Sequence, residues 1–183
     1  MSKSYLTAAG SILTVEARHS SYIRSGLKQT PFAAPFDTPL TLDEVYTLAA
    51  GFITSCPETN AKLPVKAFPA LQLDPAAGTV KAGSKVKLLT PGYTLKAAQG
   101  VATVYAAFIS VTGPTFVAAT PVDGGFEVTI PMGFSGQSYA VLTSCNETVS
   151  DDTTAAGPAV IEVCLILGVV VERDANFVRQ ISD

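Results

Sequence analysis

Between Tyr5 and Leu27 the apolar residues recur at a helical interval. Placed at about 100° per residue, Tyr5, Ala9, Ile12, Leu13, Val15, Tyr22 and Ile23 occupy one broad arc, with Thr7, Ser11, Thr14, Arg18, Ser21 and Ser25 opposite. The pattern predicts an amphipathic helix over about residues 5–27. It should fade at Ser25-Gly26, where Lys28 suits the C-terminal end of the helix dipole. A second helix is predicted over 41–55. Thr41 is a good N-cap, Glu44 three residues on completes a capping box, and Leu42, Val45, Leu48, Ala49 and Ile53 keep the period. Cys56-Pro57 ends it. Between the two helices, Thr30–Pro39 carries Pro31, Pro35 and Pro39 with Phe32 and Phe36. Proline fixes φ and removes a donor, so this stretch reads as an extended, ordered connector whose phenylalanines anchor it to a core.

From Ala67 onward the period changes to that of strands. Leu71–Leu73, Thr79–Lys81, Lys85–Leu89, Val101–Ser110, Thr115–Ala119, Phe126–Ile130, Ser138–Thr143 and Val160–Leu167 are short apolar or alternating runs. Turn residues such as Pro91-Gly92, Gly113-Pro114 and Asp123-Gly124-Gly125 separate them. Phe126–Ile130 is apolar at every second residue, as in a half-buried antiparallel strand, whereas Val101–Val111 is almost wholly apolar, as in a central one. Count and spacing suit a mainly β fold, an immunoglobulin-like antiparallel β-sandwich preceded by two α-helices. Tyr139, at the start of a late strand, is placed to act as a tyrosine corner. The expected organisation is a helical segment over 1–66, the sandwich over 67–171 and a charged tail over 172–183.

Composition narrows the functional classes. Apolar residues make up 48% of the 183 and charged residues only 15%, against about 25% in an average globular protein. The net charge of −3 and the scattered lysines and arginines leave no basic face for a nucleic-acid backbone. No run reaches the roughly 18 apolar residues that span a bilayer; Ala159–Val171 is too short and contains Glu162. Gly10, Thr14, Glu16 and Arg18 interrupt any secretory hydrophobic core near the start. Cys56, Cys145 and Cys164 have no metal-ligand spacing, and their odd number leaves at least one thiol out of any internal bridge, such as Cys56 to Cys145. Asn146-Glu147-Thr148 is a glycosylation sequon, meaningful only in a secreted chain. Compartment is therefore open.

The chemistry worth weighing lies in the first helix. Glu16 and the only histidine, His19, stand inside the apolar arc, where burying two ionisable groups is costly unless each is paired. Glu-x-x-His on a helix points both side chains to one side, so one helix can offer both to a metal. The pattern alone is common by chance. Glu44 has a simpler role as a cap. Gly124-Gly125 and Gly133–Gly136 are hairpin punctuation, and there is no G-x-S-x-G, phosphate loop or dinucleotide fingerprint.

The run AAGSILTVEARHSSYIR, the connector Pro31–Pro39, the stretch DEVYTLAAGFITSCP, the segment LPVKAFPAL and GPAVIEV at Gly157–Val163 together resemble a fungal ferritin-like family of stress-response or desiccation type. The resemblance covers most of residues 5–163. It implies that the first helix corresponds to the last helix of a four-helix bundle leading into a β-rich carboxy-terminal domain, and that this chain is the carboxy-terminal portion. A di-iron site of that kind needs a Glu from each of two helices and two Glu-x-x-His motifs. Glu16 and His19 supply one motif, so no cofactor is expected in a single chain, and iron or another transition metal is expected only across subunits. The leading expectation is a non-enzymatic β-sandwich protein that self-associates, as a homodimer, through its first helix. The alternatives are a binder of an apolar small molecule or pigment, and a metal site completed between subunits by Glu16 and His19, with Glu44 or Asp43 as further donors.

Overall fold

The computed structural model describes residues 3–32, 34–96 and 103–164. Helices α1 (Leu6–Gly26) and α2 (Leu42–Ala50) come first. Among the described residues eight strands follow: β1 (Gln72–Leu73), β2 (Val80–Lys81), β3 (Lys85–Leu89), β4 (Val104–Ile109), β5 (Thr115–Val122), β6 (Gly125–Thr129), β7 (Gly136–Thr143) and β8 (Thr154–Cys164). Their order across the sheet is β1-β3-β6-β5-β4-β7-β8-β2. Every pairing is antiparallel except that of β2 with β8.

Strand β5 turns the corner of this sheet. Its first half, Thr115–Ala119, pairs with β4, while Thr120–Val122 pairs with β6. The sheet therefore curls into two layers, and the Gly157 amide, donating to the Pro69 carbonyl at 3.0 Å, ties the far edge back to the segment before β1. Val86 and Leu88 of β3, Phe126 and Val128 of β6, Phe108 of β4, Leu142 of β7 and Ile161 of β8 fill the space between the layers. Phe108 meets Phe134 edge to face at 5.4 Å. The expected architecture, a β-sandwich behind two helices, is thus present as a curled, mostly antiparallel sheet. The apolar run of β4 has its reason: Ala106 and Phe108 face the core, while Ala107 and Ile109 face outward onto Leu40, Phe116 and Val149.

Three expectations change. Strand β8 begins at Thr154, six residues before the expected start, because Gly157-Pro158 looks like a breaker but sits inside the strand. Its register against β7 shifts between Ala140 and Leu142, and a bulge of this kind absorbs a residue that cannot join the ladder. Helix α2 stops at Ala50, ahead of Gly51, and Phe52 beyond it is 91% exposed; without a face to pack, the glycine is enough to end a short helix. Phe32 and Phe36 do not anchor the connector, being 80% and 66% exposed. Leu40 does so instead, against Ala107, Ile109 and Val141. The first two residues of the run expected over Val101–Ser110, the end of the Val160–Leu167 run and the tail at 172–183 lie outside the described residues.

A candidate site along the first helix

Helix α1 buries none of its residues. It is tied to the sheet near its C-terminal end, where the half-buried Arg24 spreads its guanidinium over three partners. Nε donates to the Thr30 carbonyl at 3.0 Å, Nη1 to Gln137 Oε1 at 3.3 Å, and Nη2 to Glu162 Oε1 at 2.6 Å. Gln137 also donates to the Tyr139 hydroxyl. Gln137 lies opposite Glu162 in the β7–β8 ladder, so the two acceptors are neighbours on one face. The fork of an arginine suits such a pair.

Ahead of this clasp, α1 and the connector enclose a groove of about 500 Å³ whose floor is Gln137 and Tyr139 of β7. Leu13, Glu16 and Ala17 line it from the helix, and Phe32, Phe36 and Asp37 from the connector. A second groove, of about 350 Å³, shares Phe36 with it and runs on towards Met132 and Phe134. The structure separates the two residues of the Glu-x-x-His motif. Glu16 lines the groove, while His19 lies outside it and is exposed. Neither makes an ion pair among the described residues. The expected burial of the apolar arc does not occur in a single chain: Ile12, Leu13, Tyr22 and Ile23 are 54–83% exposed.

Glu44 sits elsewhere, in the first turn of α2. Its Oε2 accepts from the Thr41 amide at 2.7 Å, and its own amide donates to Thr41 Oγ1 at 3.2 Å, which completes the expected capping box. The residue is 2% exposed, and Oε1 has no hydrogen-bond partner among the described residues. Burial, helped by the charge of Asp151, pushes its carboxyl above the ordinary range against the opposing pull of the Thr41 bonds. Asp43 and Thr47 are occupied in fixing the next segment, accepting from the Lys66 and Phe68 amides.

Two features had no clear sequence signal. The tyrosine that ties a loop to the sheet is Tyr93, whose hydroxyl donates to the Ala70 carbonyl at 2.6 Å and whose burial pushes its pKa up to about 12. Tyr139 bonds within its own strand. Cys56 and Cys145 are not joined, so the conceivable Cys56–Cys145 bridge is not formed. The amides of Glu147 and Thr148 and the Thr148 hydroxyl hold the Cys145 thiol below its ordinary range. That arrangement depends on a turn whose geometry cannot be read from Cys-Asn-Glu-Thr.

Residues 1–29 match a family model described as Ferritin-like domain. The match takes in α1 and the turn behind it and none of the strands. No curated protein matches the chain. Over residues 1–29 the chain is therefore similar to ferritin-like proteins, and the described residues that follow the two helices form a β-rich fold. Among the described residues no group of three or more His, Cys, Asp or Glu is placed to hold a metal, and Glu16 and His19 alone are two donors. No described helix is long and apolar enough to cross a membrane.

Proposed function

We propose that the protein is a non-enzymatic β-sandwich protein, related through its first helix to ferritin-like proteins, that self-associates through that helix. One observation carries the reading: a 21-residue helix held at one end leaves Ile12, Leu13, Tyr22 and Ile23 in water. Apolar patches of this extent mark interaction surfaces far more often than bare ones. Native-mass measurement and sedimentation test it. The expected result is a dimer that Ile12→Glu with Ile23→Glu converts to a monomer of unchanged circular dichroism; a monomer throughout the micromolar range defeats the reading.

The groove beside α1 favours a second reading, a binder of an apolar small molecule between helix and connector. Phe32 and Phe36 would cover such a ligand, and the volume of about 500 Å³ is that of a small-molecule site. Extraction of the purified protein with organic solvent, followed by mass and absorbance analysis, decides it. Metal analysis of the same sample tests a site completed between subunits by Glu16 and His19, and a stoichiometry near zero in a well-folded oligomer removes that alternative.

A further inference from the structure

The two grooves beside α1 adjoin along the connector. Ala34, Pro35, Phe36 and Thr38 line both, and Gln137 of β7 lies under both. Their ends differ in charge. At the α1 end Glu16 and Asp37 contribute carboxylates, and neither makes an ion pair among the described residues. Arg24 lines the same end, but its guanidinium holds Glu162 at 2.6 Å and gives its other donors to Thr30 and Gln137. That positive charge is already matched. At the far end no Asp, Glu, Lys, Arg or His lines the groove among the described residues. Val111 and Met132 stand exposed there, by 53% and 77%, beside Phe134.

A molecule laid along both grooves therefore meets hydrocarbon at one end and unmatched negative charge at the other. Covering Val111, Met132 and Phe36 with an alkyl chain removes apolar surface from water, which favours binding whatever the headgroup. The headgroup decides the class of ligand. A carboxylate would face two carboxylates with no uncommitted cation beside them. An alcohol would gain a hydrogen bond without charge. An ammonium gains two ionised acceptors, and hydrogen bonds of that kind are the stronger sort. Phe32 and Tyr139 also line the acidic end, and aromatic rings attract organic cations.

We propose that the joined grooves bind an amphipathic amine, its apolar chain against Val111 and Met132 and its ammonium towards Glu16 and Asp37. This rests on the reading of the groove as a small-molecule site and adds the ligand's chemical class and its direction.

Calorimetric titration of the full chain with decylamine, decanol and decanoate, each below its micellar concentration, tests the proposal. An alkylamine, like a lysine, is charged at about pH 7.5. A chelating buffer sets aside metal held by the same carboxylates. Decylamine should bind about fivefold to tenfold more tightly than decanol, the worth of two partly exposed ion pairs, and decanoate more weakly than either. Raising the salt to about 0.5 M should shrink the advantage of the amine and leave the alcohol unchanged. Asp37→Asn and Glu16→Gln should each lower the affinity for the amine a few-fold without affecting decanol. Phe36→Ser, at the junction of the grooves, should weaken all three alike. Decanol or decanoate binding as tightly as the amine, or a preference for the amine that survives both carboxylate variants, overturns this proposal and leaves the apolar small-molecule reading standing. A chain that binds none of the three overturns both.

Discussion

At the start of α2 one oxygen of Glu44 closes a capping box and the other is buried without a partner among the described residues. The second circumstance outweighs the first, so the folded carboxyl titrates above its ordinary 4.5. For an acid shifted upward, the advantage of the protonated form is complete below the unfolded value and is lost as pH rises through the folded one. Wild type should therefore lose urea resistance relative to Glu44→Gln as pH rises from about 4.5 towards neutrality. Equal slopes for the two proteins would show that Glu44 is not the group responsible. Gly125 makes a sharper case without titration. A Cβ there would lie 2.0 Å from the Leu88 carbonyl oxygen, where backbone meets backbone across the β3–β6 ladder and neither can yield. Gly125→Ala should cost about 2–3 kcal/mol in chemical denaturation, the upper part of the range for overpacking. Gly10→Ala, with nothing within 4 Å of the added carbon, is the control and should cost nothing.

Among the elements, α1 depends on a clasp and the strands depend on one another. Arg24→Ala removes the bonds to Thr30, Gln137 and Glu162 together. Amide exchange across residues 6–26 should then speed up markedly, with strand amides unchanged; a uniform change would mean that helix and sheet unfold as one unit. This division was only partly legible in the sequence. Lys85–Leu89 alternates charge and hydrocarbon, and its strand came out with the expected limits because one face of β3 is buried and the other wet. Strand β8 starts six residues before the expected Val160; Gly157-Pro158 is a breaker by local rules, and only the neighbouring strand shows that a bulge accommodates it. The site divides in the same manner. That Glu16 and His19 share the apolar side of a helix follows from their spacing. That one lines a groove and the other faces open water depends on where the connector runs, which is settled by Leu40 and not by the conspicuous phenylalanines.

For the molecule as a whole, the contrast between the two parts predicts how stability is distributed. Every buried apolar residue of the main core lies between Leu71 and Val163, and α1 contributes none. Removing residues 1–29, the stretch that matches the ferritin-like family model, should leave a cooperatively folded protein. The loss is confined to the Arg24 clasp, a partly exposed ion pair with two neutral bonds, worth about 1 kcal/mol or less. The shortened chain should therefore keep its denaturation midpoint within a few tenths molar urea. It should also lose any dependence of that midpoint on protein concentration, since mass action links stability to association only while the associating surface is present. If the midpoint of the shortened chain falls steeply, α1 is part of the folding unit after all. If the midpoint holds and concentration dependence disappears, the helix serves association, and the sheet is the scaffold that presents it.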